Sequence, residues 1–164
     1  MNDVDWKSLL IGNTTRRRAK IILWLACHGR LATKDRLMKI GVIKEENCKF
    51  CDDRETLQHL MFECSGTKGI WGAVLDWLHI DKVVHGWGPS ERLGYKICKS
   101  KSWRRHFFKV ALAETVYAVW CSRNSKVYCK RNLDRNIVDQ IIENIVNRVL
   151  GIPKLREKLA ILLM

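Results

Sequence analysis

Apolar residues recur at helical intervals along almost the whole chain. The first strong run is Ile21, Ile22, Leu23, Trp24, Leu25 and Ala26, led in by Arg16-Arg17-Arg18-Ala19-Lys20. It predicts a helix that Gly29 ends. Thr33 is placed to cap a short helix with Leu37, Met38 and Ile40 on its apolar side. In the second half of a Cys/His-rich stretch, Glu55 to Glu63 reads as two helical turns. Ser65 or Thr67 then opens a helix whose Ile70, Trp71, Val74, Leu75, Trp77 and Leu78 form one broad apolar face. Asp81 to Ser90 holds two glycines and a proline and reads as a loop. A long helix is predicted from about Lys101 to Asn124, burying Phe108, Leu112, Thr115, Val116, Val119 and Trp120. Another runs from about Leu133 to Leu150, where Ile137, Val138, Ile141, Ile142, Ile145, Val146, Val149 and Leu150 advance in pairs every four residues. Gly151-Ile152-Pro153 breaks it, and a short amphipathic tail ends at Met164. No run alternates cleanly as a strand would. The fold class is therefore all-α, with one irregular loop inserted.

That loop carries the most specific chemistry. Cys48-x2-Cys51-x7-His59-x4-Cys64 brings three thiols and an imidazole into seventeen residues. A Cys-x-x-Cys turn folds back so that both sulfurs reach one ion while backbone amides donate to them. Zinc accepts four such ligands tetrahedrally. His59 and Cys64 are five apart, roughly 500° around an ideal α-helix, so the helix must end or loosen near Phe62-Glu63. Four protein ligands fill the tetrahedron, so the cofactor expected is one zinc ion in a structural role. Three thiolates on a divalent ion leave one net negative charge, and Lys49 is placed to offset it. Buried apolar cysteines are the alternative, but Asn47, Lys49, Asp52, Asp53 and Arg54 give the first pair polar company. Of the other cysteines, Cys27 lies on an apolar helix and reads as core; Cys98, Cys121 and Cys129 are scattered.

The segment around the loop resembles a known family. Trp24-Leu25, the Leu31-to-Leu37 segment, Cys48 and Cys51, Glu55-Thr56-Leu57-Gln58-His59-Leu60, Cys64 and Trp71 occur in its order. It is the zinc-binding domain at the C-terminal end of reverse transcriptases in plant non-LTR (LINE-type) retrotransposons. The tail "VYAVWCSRNSKVY", Val116 to Tyr128, is similar to an aliphatic-Trp, Arg-Asn segment of that family. Two positions depart from it. Asp52 stands where a glycine often follows the second Cys, and Asp tolerates a left-handed backbone better than most residues. Thr14-Thr15-Arg16-Arg17-Arg18 replaces a proline-containing entry to the first helix. The resemblance implies a nucleic-acid-related module of a retroelement, or a host protein derived from one. It does not imply polymerase activity: no palm hairpin with paired aspartates occurs, and no nuclease domain, so the chain is not expected to be an enzyme.

Charge sharpens the choice of partner. Thirty Lys and Arg against 17 Asp and Glu give +13, which favours RNA or DNA. From Tyr95 to Arg131 stand Lys96, Lys99, Lys101, Arg104, Arg105, Lys109, Arg123, Lys126, Lys130 and Arg131, against the single acid Glu114. Trp103, His106, Phe107 and Tyr128 interleave with them and can stack on unpaired bases. A second candidate surface is Arg16, Arg17, Arg18 and Lys20, where like charge opposes a helix dipole and a phosphate would relieve it. The Ile/Val-rich helix at 137–150 offers an alternative, a protein partner or homodimer. A zinc-binding helical module at 1–80, a loop at 81–94 and a basic helical part at 95–164 are expected to pack as one unit. The seven cysteines and the acids in MNDVDWKSLL point to a reducing compartment, nuclear or cytoplasmic. No apolar run nears the ~20 residues of a membrane span, so no membrane partner is expected.

Overall fold

A computed structural model describes residues 6–80 and 103–164 of the 164. Those residues are mostly helical, with one isolated bridge, Asn47 to Arg54, as their extended pairing. In chain order the helices are α1 (Lys7–Leu10), α2 (Arg17–Cys27), α3 (Lys34–Lys39), α4 (Lys68–Trp77), α5 (Arg104–Cys129), α6 (Ile137–Leu150) and α7 (Pro153–Leu162). One turn of π-helix, His59–Glu63, precedes α4.

The long helix α5, about 39 Å from its 26 residues, is the axis of the fold. Helices α2, α4 and α6 and the π-turn all pack against it, α7 packs on α6, and α1 on α2. Every residue from Phe107 to Val116 is buried, so this stretch is enclosed on all sides. The six positions expected inside are buried, but so are Phe107, Lys109, Glu114 and Arg123. The helix also runs five residues past Asn124, to Cys129, and closes on Lys130 in a left-handed conformation. The loop at 81–94 and the expected start at Lys101 lie outside the described residues.

Local signals act much as their chemistry requires. Gly29 (φ 59°) ends α2 in a Schellman motif: its amide donates to the Ala26 carbonyl, and that of Arg30 to Leu25. Gly41 (φ 75°) does the same for α3. Thr33 and Thr67 occupy the N-cap positions of α3 and α4, yet neither hydroxyl caps its helix. The Thr33 hydroxyl donates to Asp35 and that of Thr67 to the Leu60 carbonyl, tying α4 to the π-turn. Helix α6 starts at Ile137 rather than near Leu133. Its Ile137, Ile141, Ile145 and Val149 point inward, while Val138, Ile142 and Val146 are half-buried and Leu150 is exposed.

Candidate metal centre and basic surface

The Cys/His stretch folds as a knuckle followed by the π-turn. The Cys48 amide donates to the Asp53 carbonyl and the Asp52 amide to the Cys48 carbonyl, closing the turn that carries the first two thiols. Asp52 sits at φ 64°, the left-handed conformation a glycine would take. The Phe50 amide donates to Cys48 Sγ at 3.4 Å, the stabilisation a thiolate needs.

The second half explains "ETLQHL" residue by residue. The Thr56 hydroxyl accepts the His59 amide at 3.0 Å and so caps the short turn. His59 aims Nε2 at the thiols, 3.1 Å from Cys51 Sγ. Leu60 is fully buried in the core. The Cys64 amide donates to the His59 carbonyl at 2.8 Å, an i→i+5 bond. That one residue of widening is how the helix loosens so that His59 and Cys64 face the same point. After Cys64, Gly66 passes so close to Phe50 that a Cβ there would stand 2.9 Å from the Phe50 Cβ.

The four ligand atoms lie within 4.8 Å of one another. Cys48 and Cys64 sulfurs are 3.8 Å apart, and Cys51 and Cys64 sulfurs 3.5 Å. Two sulfurs on one tetrahedral zinc stand about 3.8 Å apart, so the donor set and its spacing fit this ion. Cys48 and Cys64 are fully buried, and His59 nearly so. Burial pushes the Cys48 thiol up to about 12 and raises that of Cys51 as well. Three thiols and one imidazole, brought together in a mostly buried cluster, can hold a metal ion. Lys49 is exposed beside it, whereas Lys34 is buried and donates from Nζ to the Asn47 carbonyl at 2.5 Å. Burial first, then the Lys49 charge, lowers the Lys34 pKa.

Glu55, between the two ligand pairs, ties the loop to the rest of the fold. Its carboxylate accepts the Lys34 amide at the start of α3 and the Arg123 guanidinium from α5. Its backbone carbonyl accepts the Asp35 amide. The sequence reading did not single out this role. A glutamate beside a metal ligand looks like any loop acid until its partner across the fold is known.

The expected basic stripe on α5 is divided by burial. Arg123 is 2% exposed and spent on Glu55. Lys109 is buried, with Nζ donating to the Ile11 carbonyl at 2.7 Å. Neither presents its charge to solvent, contrary to the sequence expectation: Lys109 lies in the enclosed stretch of α5, and Arg123 is buried against Glu55 of the metal loop. Arg104 and Arg105 remain at the first turn, Arg104 over the Trp103 ring. Lys130 and Arg131 are exposed at the far end, with Lys126 half-buried against Asn132. Lys99 and Lys101 lie outside the described residues. Of the interleaved rings, Phe107 is buried against Trp103, while Tyr128 is 72% exposed.

At the N-cap of α2, Arg16 pairs with the buried Glu114, at 2.8 Å between Nη2 and Oε2, and covers the Tyr117 ring. Arg17 and Arg18 are exposed and Lys20 half-exposed, and among the described residues none of the three has a carboxylate partner. From Trp6 to Lys34 the chain has Lys7, Arg16, Arg17, Arg18, Lys20, Arg30 and Lys34, and no acid. Among the described residues, no helix is long and apolar enough to cross a membrane.

The model of a protein family described as zinc-binding in reverse transcriptase matches residues 1–71. The matched part contains all four ligands, Glu55 and the α2 cluster, and ends at Trp71, whose ring packs edge-on against Phe108. The chain is thus similar to a zinc-binding accessory module over its first part. No curated protein and no solved structure matches the chain.

Proposed function

We propose that the chain is a structural-zinc module that binds RNA or DNA through its basic surface. In this reading it derives from the C-terminal region of a LINE-type retrotransposon reverse transcriptase of the plant kind. Cys48, Cys51, His59 and Cys64 would hold the ion, and no ligand position is left for a reacting water. A bound ion would supply folding energy to the loop, which Glu55 ties to α3 and α5. No catalytic step is assigned to it.

The observation that carries nucleic-acid binding is the acid-free run from Trp6 to Lys34, with Arg17 and Arg18 exposed, Lys20 half-exposed, and none of the three paired with a carboxylate among the described residues. Unpaired cations at a helix N-terminus oppose the helix dipole, and phosphates relieve that repulsion. Binding of labelled RNA and DNA measured against salt concentration tests it. Affinity should fall steeply with salt, and Arg17→Ala with Arg18→Ala should reduce the log–log slope by roughly 1.5–2. Salt-independent binding sinks the electrostatic reading.

A protein-interaction module is the second reading, favoured by Ile142 and Leu150 on the outer side of α6. Light scattering separates the two: a dimer without salt-sensitive nucleic-acid binding supports it.

A further inference from the structure

A pocket of about 200 Å³ lies where α5 and α6 meet the start of α2. Arg16, Tyr117, Ser122, Ile141, Gln140 and Asn144 line it. The metal centre uses none of them.

Arg16 is held in one plane. Its Nε donates to Glu114 Oε1 at 3.2 Å and its Nη2 to Oε2 at 2.8 Å, and the guanidinium stacks over the Tyr117 ring at 5.2 Å. Its charge is largely neutralised by Glu114, so it serves a phosphate poorly. A fixed guanidinium on a tyrosine is instead a flat platform of the kind on which bases stack. Asn144, Gln140 and Ser122 line the same pocket. Asn144 Nδ2 donates to the Gln140 carbonyl at 2.7 Å, and Gln140 Nε2 donates to Asp134 at 2.6 Å. Their amide oxygens and the Ser122 hydroxyl have no protein partner among the described residues. Such groups read the edge of an unpaired base. Arg17 and Arg18, which can take phosphates, follow Arg16 directly in the chain and are exposed, and Arg18 interacts with the Tyr117 side chain.

We infer that this pocket takes one unstacked base of a single strand whose phosphates run over Arg17 and Arg18. The inference rests on the nucleic-acid reading above and adds to it a preference for single strands. A duplex cannot use the pocket without extruding a base.

The test is fluorescence anisotropy with the full, zinc-loaded chain. The probes are a short mixed-sequence strand, the same strand annealed to its complement, an abasic strand with the same phosphates, and a nucleoside monophosphate as competitor. The intact strand should bind about tenfold tighter than the abasic strand. Asn144→Leu and Ser122→Leu should erase that difference while leaving duplex binding, zinc content and helix signal unchanged. Equal binding of intact and abasic strands by the wild type overturns the inference, whether or not the variants fold. Competition by the monophosphate at the strand's own affinity also overturns it, assigning the pocket to free nucleotides. Failure of the wild type to bind any strand strikes the nucleic-acid reading itself, which the first comparison keeps distinct.

Discussion

The Arg123 guanidinium meets the Glu55 carboxylate at 2.6 Å, 68 residues away in sequence, with both side chains essentially out of water. Arg123 Nε lies 3.1 and 3.2 Å from the two carboxylate oxygens, so the contact is multiple rather than a single bond. It fixes the metal loop to the central helix. Guanidinium and carboxylate buried together offset each other's desolvation, whereas either alone does not.

Removing one partner should therefore cost far more than removing both. Glu55→Gln leaves a buried guanidinium without its counter-charge and should destabilise by on the order of 3–5 kcal/mol. Arg123→Met should cost a similar amount, and the double variant less than the sum. Urea midpoints of the four proteins measure the coupling. Additive losses would show that the two side chains act independently.

Metal removal should unfold the loop. The wild type is expected to carry one zinc per chain by elemental analysis, and Cys48→Ser or Cys64→Ser to lose it. The loss should remove folding energy on the order of 10 kcal/mol from the module, seen as reduced helix signal. Zinc-free wild type with full helicity would refute a structural ion.

Zinc affinity should rise with pH. Burial raises Cys48 to about 12 and raises Cys51 in the metal-free fold, so these thiols are protonated near neutrality and must release protons to bind. The sign reverses for stripped protein. A raised thiol pKa means that its contribution is full below the ordinary thiol value of about 8.5 and is lost as pH rises towards 12. Competition with a chromophoric chelator at several pH values reads the first effect, and alkaline unfolding of stripped protein the second. A zinc affinity flat across neutral pH would contradict the protonated-thiol picture.

Asp52 tolerates its left-handed backbone at some cost. Asp52→Gly should be neutral or slightly stabilising, and Asp52→Val should lose about 1–2 kcal/mol. Thermal midpoints at saturating zinc decide this. Equal stability of the two variants would mean that the turn has relaxed.

Gly66→Ala should destabilise by roughly 1–3 kcal/mol, because its Cβ would meet that of Phe50 at 2.9 Å. Phe50→Gly, which removes the opposing Cβ, should make the alanine harmless. If Gly66→Ala costs as much in that background as in the wild type, the close approach is not the cause.

Several features were legible along the chain because their causes are local. Helical periodicity placed α2, α4 and α6 to within a few residues and the end of α5 to within five, and Gly29 ended α2, since backbone geometry depends on near neighbours. The spacing of Cys48, Cys51, His59 and Cys64 matched a tetrahedral ion, because one knuckle and one turn bring them together. Even the loosening before Cys64 could be foreseen, though not that it is an i→i+5 turn. The fate of the charges was not legible. Arg16, Arg17, Lys109 and Arg123 are alike in charge along the sequence, yet Glu114 neutralises the first, solvent surrounds the second, and packing encloses the last two. A charge belongs to its residue, but its availability depends on what packs against it from 68 to 98 residues away. Tertiary structure alone decided which basic groups hold the fold together and which remain exposed to solvent.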